Sequence, residues 1–431
     1  MRDNRDIERA IARVFNGERY SRRTFLRRAG RGMVYTGTAV SLTSILAACG
    51  IGPGNGSPSA SGSRAPVGGE PSGTLFWANW PLYIDSENDD LEVAEEAGQR
   101  ESATLAAFTE ATGIEVNYVE AIQDNQDFFG TIQPALAAGQ DTGWDLITIT
   151  DWLVGKMIGL DYLERIEVEA SVPNFVANAG DKYKNPSYDP NNLHSVPWQS
   201  GITGIGYNPE LTGREITSFE DMLDPAFEGR IGMLSDTRDA ISLALLHNGV
   251  IPKDATEDDV RAAVEVLRGQ APLVRGYYGN EYAQGLADGT LAVTMAYSGD
   301  VFQLQFDNPD LQFVVPEAGG VLWIDNLCIP RGAQHPADAL ALMNYVYDPE
   351  VMAQVEEYVN YICPIPSAQD IIRQHAAEAE TDEDREYLEA VAESPLVFPT
   401  EDMLARVHSY KVLTEEEEAL WNQLYEEVTL G

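Results

Sequence analysis

Cysteine, histidine and lysine are scarce in this chain. Among 431 residues there are three cysteines and five histidines. Lysine occurs only at Lys156, Lys182, Lys184, Lys253 and Lys411. The cysteines and histidines are scattered, whereas metal sites place such residues at short, regular intervals. We therefore expect no metal site and no cofactor.

Positive charge is also in short supply. The chain has 28 basic and 69 acidic residues, a net charge of −41. Ten arginines and four acidic residues lie within residues 1–49, so the remainder carries 18 basic and 65 acidic residues and a net charge of −47. This field repels nucleic acids and anionic lipids and attracts cations. A salt-rich habitat also selects acidic, lysine-poor surfaces, and we attribute most of the acidity to such adaptation.

No hydrophobic run is long enough to span a membrane. The longest apolar stretch near the N-terminus, residues 32–46, is shorter than the roughly 20 residues that a spanning helix needs. Arg22 and Arg23 precede it in a twin-arginine export motif, and Leu-Ala-Ala-Cys follows it and ends at Cys49. The order predicts a signal over residues 1–49, export by the twin-arginine route, and a lipid anchor on Cys49. The protein would be periplasmic or on the outer face of the cytoplasmic membrane.

A flexible tether is predicted over residues 50–73, which are rich in Gly, Ser and Pro. The folded body follows. Beyond Cys49 the chain has only Cys328 and Cys363, which could form a disulfide in an oxidising compartment. Nothing in the sequence sets the distance between them, so the pairing stays open.

Strands alternate with helices along the body, which predicts βαβ units and a mostly parallel sheet. Asp151 is expected to cap the helix after the third strand, and residues 86–98 to form an exposed acidic insertion. Gly201, Gly204 and Gly206 are assigned to a strand that crosses a hinge. The predicted strands are 74–79, 114–119, 144–150, 291–297 and 320–330, and the predicted helices are 101–112, 124–138, 218–223, 258–269, 336–347, 349–359 and 414–430.

Aromatic and acidic residues follow the predicted strands, at the edge where open α/β sheets bind ligands. Ring faces attract ammonium groups, at about 0.5–2 kcal/mol per contact, and carboxylates neutralise a buried positive charge. The strand ends offer no nucleophile next to a base, so we predict a binding protein rather than an enzyme. An organic cation is the ligand type that this composition favours.

Several motifs make a family resemblance specific. The most specific are Ser-Asp-Thr-Arg-Asp at 235–239 and Gly-Gly-Val-Leu-Trp-Ile-Asp at 319–325, supported by runs at 79–83, 108–116, 145–146, 156–157 and 361–366. With these runs the chain resembles the spermidine/putrescine-type extracytoplasmic solute-binding proteins of ABC importers. The resemblance implies a two-lobed α/β periplasmic-binding-protein fold, each lobe a mostly parallel sheet flanked by helices, with hinge strands between. It also implies a polyamine ligand, an ABC permease as partner, and a monomer.

The resemblance implies particular boundaries and site residues. The first lobe would comprise residues 74–200 and 324–366, and the second 201–323 and 367–431, with crossings near Ser200, Ile324 and Pro366. Asp239 stands where the family typically has Glu, Tyr297 where it has Trp, and a polar site residue aligns loosely with Lys411. The implied ligand-binding residues are Trp80, Tyr83, Thr150, Trp152, Asp236, Asp239, Tyr297, Trp323, Asp325 and Tyr361.

Simpler interpretations compete at these positions. Asp236 and Asp239 are also spaced as the cap and third residue of a helix. The tryptophans could be core residues, and Asp325 a plain turn residue. The same fold could bind another amino compound, a sugar or an iron chelate, or could act only as a sensor. More remotely, Asp236 and Asp325 could serve a secreted glycoside-cleaving enzyme.

Overall fold

The computed structural model describes residues 65–86 and 102–430. The predicted export motif and lipidation site, at Arg22, Arg23 and Cys49, lie outside these residues, as does most of the predicted acidic insertion. Within the described residues, no helix has both the length and the apolar character needed to cross a bilayer.

Short strands rich in β-branched and aromatic residues form the sheet, as their β propensity predicts. The third of them, Leu-Ile-Thr-Ile-Thr, is buried along its whole length. The strands are β1 (Thr74–Ala78), β2 (Glu115–Val119), β3 (Leu146–Thr150), β4 (Ser195–Tyr207), β5 (Ile231–Leu234), β6 (Val274–Tyr278), β7 (Val293–Tyr297), β8 (Gln312–Val314), β9 (Gly320–Cys328) and β10 (Val407–His408).

The strands form one sheet in the order β2-β1-β3-β9-β4-β7-β5-β6, with β10 beside β9 and β8 beside β4. Strands β2, β1 and β3 are parallel at one end, and β7, β5 and β6 are parallel at the other. The long strands β4 and β9 lie between them and run antiparallel to each other. Two parallel half-sheets joined by two central strands confirm the predicted two-lobed α/β fold. We call the half with β1–β3 the first lobe and the half with β5–β7 the second lobe.

Helices flank both half-sheets, and each lobe has helices that connect successive parallel strands, because parallel strands cannot be joined by a tight turn. They are α1 (Ala103–Thr112), α2 (Asn125–Ala137), α3 (Asp151–Gly159), α4 (Val168–Ser171), α5 (Pro173–Asn178), α6 (Pro209–Thr212), α7 (Thr237–His247), α8 (Glu257–Gln270), α9 (Tyr282–Ala287), α10 (Ser298–Leu304), α11 (Pro336–Val346), α12 (Pro349–Val359), α13 (Ala368–Glu378), α14 (Asp382–Glu393), α15 (Glu401–Leu404) and α16 (Glu415–Thr429).

Local signals in the sequence explain most helix ends. Helix α1 begins after Ser102, whose hydroxyl accepts the Leu105 N–H, and ends at Gly113 with φ +80°, a conformation that glycine adopts without a Cβ penalty. Two predictions need correction. Asp151 is the first residue of α3, and the capping position belongs to Thr150, whose hydroxyl makes no cap bond. That hydroxyl instead accepts the Asn125 side-chain amide N–H at 2.8 Å and donates to Asp325. The helix predicted over 218–223 is a 3-10 helix, Phe219–Leu223.

Two tryptophans at the centre of the first lobe hold the residues that follow β1. Trp77 and Trp198 are fully buried, and their rings meet edge to face with centroids 5.5 Å apart. Each indole N–H has a partner: Trp77 donates to the Thr148 hydroxyl at 2.9 Å and Trp198 to the carbonyl of Tyr83 at 3.1 Å. The second of these bonds fixes the backbone of Tyr83 against the core.

The two central strands pass from one lobe to the other. Ser200 and Ile324 lie opposite each other in the β4–β9 ladder, and Ile362 exchanges two backbone hydrogen bonds with Ser200, at 3.1 and 2.7 Å. Three chain segments therefore meet at Ser200. The predicted crossings near Ser200, Ile324 and Pro366, and the lobe boundaries drawn from them, remain predictions.

The end of the predicted tether contacts the folded body. Val67 donates its N–H to the carbonyl of Arg165 at 2.7 Å. The backbone N–H groups of Ser72 and Gly73 donate to the Asp338 carboxylate at 2.8–3.1 Å. Val67, Ser72 and Gly73, which were predicted to belong to the tether, are therefore bound to the folded body.

The structure does not contain the disulfide that was considered between Cys328 and Cys363, because both thiols are free and buried. Cys328 lies opposite Ser195, whereas Cys363 follows Ile362, which lies beside Ser200. Five residues along an extended strand span about 16 Å, and the Cα atoms of a disulfide lie no more than about 7 Å apart. The sheet register thus keeps the two thiols apart.

Candidate functional site

Asp325 is held at the junction of β3 and β9. Its position opposite Thr150 in the ladder brings the Thr150 hydroxyl to 2.6 Å from one carboxylate oxygen. The Tyr83 hydroxyl donates to the other oxygen at 2.8 Å. Burial raises the pKa of Asp325 to about 6, although both hydrogen bonds oppose this shift. The carboxylate is thus oriented, nearly dry, and without a countercharge among these partners.

Asp239 is a second buried carboxylate, in the second lobe. It accepts hydrogen bonds from the hydroxyls of Thr203 at 2.6 Å, Tyr410 at 2.5 Å and Tyr297 at 3.0 Å. Burial, and then the charge of Asp236, raise the pKa of Asp239 to about 7 against these hydrogen bonds. Three neutral donors orient the carboxylate but leave its negative charge unbalanced, which favours a cationic ligand.

Asp236 caps helix α7, as its spacing predicts. Its side chain accepts the backbone N–H groups of Arg238 at 2.7 Å and Asp239 at 3.1 Å. The residue stays partly exposed, and burial raises the pKa of its carboxyl although the Arg238 charge opposes the shift. A capping carboxylate uses one oxygen for the helix, so its predicted ligand role is compatible with the cap.

Four aromatic rings connect the two carboxylates. The Tyr83 and Tyr361 centroids are 5.7 Å apart, Tyr361 and Trp323 are 5.4 Å apart, and Trp323 and Tyr297 are 5.7 Å apart. Tyr83 bonds to Asp325 and Tyr297 to Asp239, so the chain of rings begins and ends at a carboxylate. Such a wall can contact methylene groups along its length and ammonium groups at its ends.

Two glycines let these rings lie directly on the backbone. A Cβ atom at Gly201 would lie 2.3 Å from the Trp323 ring, and one at Gly299 would lie 2.6 Å from the Tyr361 ring. No side chain fits at such distances. Gly201 in β4 and Gly299 in α10 therefore both shape the aromatic wall.

Trp152 is placed differently from the other aromatic residues. The Arg238 guanidinium lies over its ring, 3.5 Å from the centroid. Both side chains are buried. One face of Trp152 is therefore covered by a cation of the protein itself, and the predicted contact of this residue with ligand remains a prediction.

Trp80 lies beyond β1, three residues before Tyr83. It is half-buried, and its indole N–H is buried without a hydrogen-bonding partner, as is that of Trp323. The Tyr118 hydroxyl donates to the carbonyl of Trp80 at 3.3 Å. Its role in binding also remains a prediction.

The structure adds residues that sequence reasoning missed. Asp300 accepts the hydroxyl protons of Tyr361 at 2.7 Å and Tyr282 at 2.6 Å. It lies in the first turn of α10, three residues after the end of β7, so the strand-end rule gave a signal close to it. Tyr410 reaches Asp239 from the loop before α16, and only the tertiary structure shows this. The adjacent Lys411 instead donates to the carbonyl of Ala255 at 2.7 Å and pairs with Glu417.

Asp151 is another buried acid close to this group. Burial, and the charges of Asp325 and Asp239, raise its pKa well above the usual range, while the Trp152 N–H and Arg238 oppose the shift. The carboxylates of Asp151, Asp325 and Asp239 thus outnumber the nearby guanidinium of Arg238.

Across residues 65–86 and 102–430, no group of three or more His, Cys, Asp or Glu side chains is arranged to hold a metal ion. The side chains around Asp325 and Asp239 have the chemistry that suits an organic cation.

A family comparison agrees with this fold. The model of the bacterial extracellular solute-binding proteins matches residues 103–386, which is more than half of the chain. The chain belongs to this family.

Related solute-binding proteins carry polyamine names. The spermidine/putrescine-binding periplasmic protein of Salmonella typhimurium is 27% identical over 305 residues, covering 70% of this chain and 81% of that protein. The putrescine-binding periplasmic protein SpuD of Pseudomonas aeruginosa is 23% identical over 325 residues, covering 71% and 83%.

A solved structure has the same fold. The spermidine/putrescine ABC transporter substrate-binding protein PotD of Streptococcus pneumoniae aligns with a TM-score of 0.66 and 23% identity, over 83% of this solute-binding protein and 99% of that chain. At this identity the likeness concerns the fold alone. The names of these relatives describe binding proteins.

Proposed function

We propose that this solute-binding protein captures a polyamine, such as putrescine or spermidine, between its lobes. The observation that carries the proposal is the row of four rings, Tyr83, Tyr361, Trp323 and Tyr297, with a buried carboxylate at each end. An extended chain of methylene groups with a cation at each end matches that row. The polyamine names of the relatives support the same ligand class.

The charges of the site explain how such a ligand would be held. Asp325 and Asp239 receive hydrogen bonds only from neutral hydroxyls in their described contacts. An ammonium group would supply the missing positive charge and three further N–H donors. The rings would contribute about 0.5–2 kcal/mol for each cation that contacts a ring face. The hydroxyl groups already orient both carboxylates, so the site needs little reorganisation when the ligand binds.

Delivery to an ABC permease is the second part of the proposal. Closure of the lobes around the ligand would present a joint surface to the permease. For the ligand to drive this closure, it must bind the closed state more tightly than the open state. The export motif at Arg22 and Arg23 and the lipidation site at Cys49 would place the monomer outside the cytoplasmic membrane, held by a lipid anchor.

Calorimetric titration with putrescine, spermidine and spermine, at low and high salt, tests this function. One-to-one binding at micromolar or tighter affinity that persists in high salt supports a polyamine site. Weak binding of many ligand molecules that disappears in salt would mean that polycations coat the acidic surface, and would contradict the proposal. Turnover of a chromogenic glycoside would instead favour an enzyme.

A different amino compound is a second candidate, and one observation favours it. The indole N–H groups of Trp80 and Trp323 are buried without acceptors, and a fully protonated polyamine has no acceptor to offer them. An amino compound that also carries a hydroxyl or carboxylate oxygen could satisfy them. Titration with an amino alcohol and an amino acid of equal chain length, alongside putrescine, separates the two candidates.

A further inference from the structure

Four side chains connect the lobes away from the row of aromatic rings. The Lys156 ammonium lies 2.7 Å from the Glu418 carboxylate, and the Arg238 guanidinium lies 3.3 Å from the other oxygen of Glu418. The same guanidinium stacks on Trp152 at 3.5 Å from the ring centroid. Arg238, Trp152 and Glu418 are 3%, 4% and 8% exposed, so these contacts are shielded from water.

The four residues come from opposite sides of the cleft. Trp152 and Lys156 lie on α3, which follows β3 and packs on it in the first lobe. Arg238 lies on α7, which packs on β5, and Glu418 lies on α16, which packs on α7 and α8 in the second lobe. If the lobes separate, Arg238 remains with Glu418, while Lys156 and Trp152 move away. Two contacts must therefore break: the Lys156–Glu418 ion pair and the Arg238–Trp152 stack.

The electrostatics make both contacts favour closure. Burial alone would raise the pKa of Glu418, but the Lys156 hydrogen bond and the Arg238 charge lower it, so the carboxylate stays ionised. A planar guanidinium suits stacking on an indole face better than an ammonium does. Because the contacts are partly or fully withdrawn from water, salt screens them less than surface ion pairs.

Helix α7 joins these contacts to the ligand carboxylates. Arg238 lies between Asp236 and Asp239, and the Asp236 side chain accepts the N–H groups of both Arg238 and Asp239. The first turn of one helix thus carries two predicted ligand groups and the guanidinium that reaches the other lobe. A ligand that orders this turn also orders Arg238.

We propose that Trp152, Lys156, Arg238 and Glu418 form an inter-lobe latch that stabilises the closed conformation, with Arg238 as the positioning residue that couples ligand capture to closure. The coupling to a polyamine rests on the proposed function, whereas the latch itself depends only on the two lobes. Without the latch the closed fraction falls, and apparent affinity falls by the same factor for every ligand.

Distance measurement by double electron–electron resonance tests the latch in ligand-free protein. Spin labels at Gln133→Cys on α2 and Ala262→Cys on α8 report on the two lobes from exposed positions. Lys156→Met and Glu418→Gln should each reduce the ratio of closed to open protein about fivefold or more. The double variant should have the same ratio as either single variant, because both substitutions remove the same Lys156–Glu418 ion pair. Trp152→Leu should shift the ratio in the same direction through the stack.

Glu257→Gln and Arg261→Met are the matched controls, because that pair is an exposed ion pair at 2.7 Å within one helix. Their distance distributions should equal that of the parent. Identical distance distributions in the parent, Lys156→Met and Trp152→Leu, with unchanged melting curves, would overturn the latch.

Titration of the same variants with putrescine tests the coupling between ligand capture and closure. A putrescine affinity that stays constant while the closed fraction falls contradicts that coupling. A parent that binds no polyamine contradicts the proposed function but leaves the ligand-free result intact.

Discussion

Asp325 and Asp239 are two buried acids whose described hydrogen bonds come from hydroxyl groups alone. Burial raises the pKa of both carboxyls, to about 6 and about 7 respectively, and hydroxyl groups rather than basic side chains orient them. A basic partner would have lowered these pKa values and satisfied the charge. At the residue scale, this unbalanced charge is what supports the proposed cation site.

Asp325→Asn should separate charge from structure. The amide keeps the size of the side chain and an oxygen acceptor for Tyr83 or Thr150, so folding stability should change little or rise. Putrescine affinity should fall more than about tenfold, which corresponds to about 1.4 kcal/mol, because one counterion is lost. Calorimetric titration measures this, with Asp310→Asn at an exposed position as the control. An unchanged affinity would remove Asp325 from the site.

The raised pKa values also predict opposite pH dependences for binding and stability. A cation binds the ionised carboxylates, so affinity should fall as the pH drops from about 7.5 to about 5 and both acids become protonated. In the ligand-free protein, the folded state keeps protons that the unfolded chain has released between about pH 4 and pH 7, so stability should fall as the pH rises across that window. Titrations in buffers of different ionisation heat measure the released protons, and denaturant unfolding measures the stability. Affinity that is independent of pH would contradict these pKa values.

At the element scale, the first turn of α7 combines capping with charge. Asp236 accepts two backbone N–H groups there, and its carboxylate is also a predicted ligand group. Helix capping requires only an oxygen acceptor, whereas cation binding requires a negative charge. One substitution can therefore keep the first role and remove the second.

Asp236→Ser and Asp236→Ala make this separation. Serine keeps a capping oxygen, so its unfolding free energy should stay within a few tenths of a kcal/mol of the parent, whereas alanine should cost about 1 kcal/mol. Both should weaken putrescine binding to a similar extent, since both remove the charge. Urea unfolding and titration of the two variants give the comparison. If serine restores binding fully, Asp236 acts only as a cap.

Strand β4 makes room for the Trp323 ring because Gly201 has no side chain. Gly201→Ala places a Cβ 2.3 Å from the Trp323 ring, so the ring must move or the strand must shift, at about 1–3 kcal/mol. Binding and the near-ultraviolet circular dichroism of the tryptophans should both change. Gly130→Ala in α2, where a Cβ meets nothing within 4 Å, should be neutral or slightly stabilising. Equal effects of the two changes would argue against close packing at Gly201.

At the scale of the whole molecule, charge acts on stability rather than on the site alone. A net charge of −41 makes the folded protein repel itself, and salt screens this repulsion over a Debye length of about 10 Å at 0.1 M. The melting temperature should therefore rise with salt. Specific polyamine binding should weaken far less with salt than nonspecific binding, because its carboxylates are buried. A melting temperature that falls with salt would show that ion pairs outweigh the repulsion.

Periodicity and turn residues predicted the elements well. Strands β1, β2 and β3 and helices α1, α2, α12 and α16 lie within a few residues of their predicted bounds, because each has its own signal of burial, capping or termination. The strand-end rule also directed attention to Tyr297 and Asp325, although Asp325 lies inside β9, and the family resemblance directed attention to Tyr83. The structure joins these residues through the row of rings. The rule could not show which hydroxyl meets which carboxylate, since that depends on register between distant strands.

The sequence by itself determined the order of the elements, the acidic surface and the supply of aromatic and acidic side chains, since these depend on composition and on spacing along the chain. Tertiary structure alone decided that Tyr410 rather than Lys411 approaches Asp239, that Arg238 covers Trp152, and that Cys328 and Cys363 stay apart. Those outcomes depend on contacts between residues far apart in sequence. Packing of the lobes selects such contacts, and no local pattern encodes them.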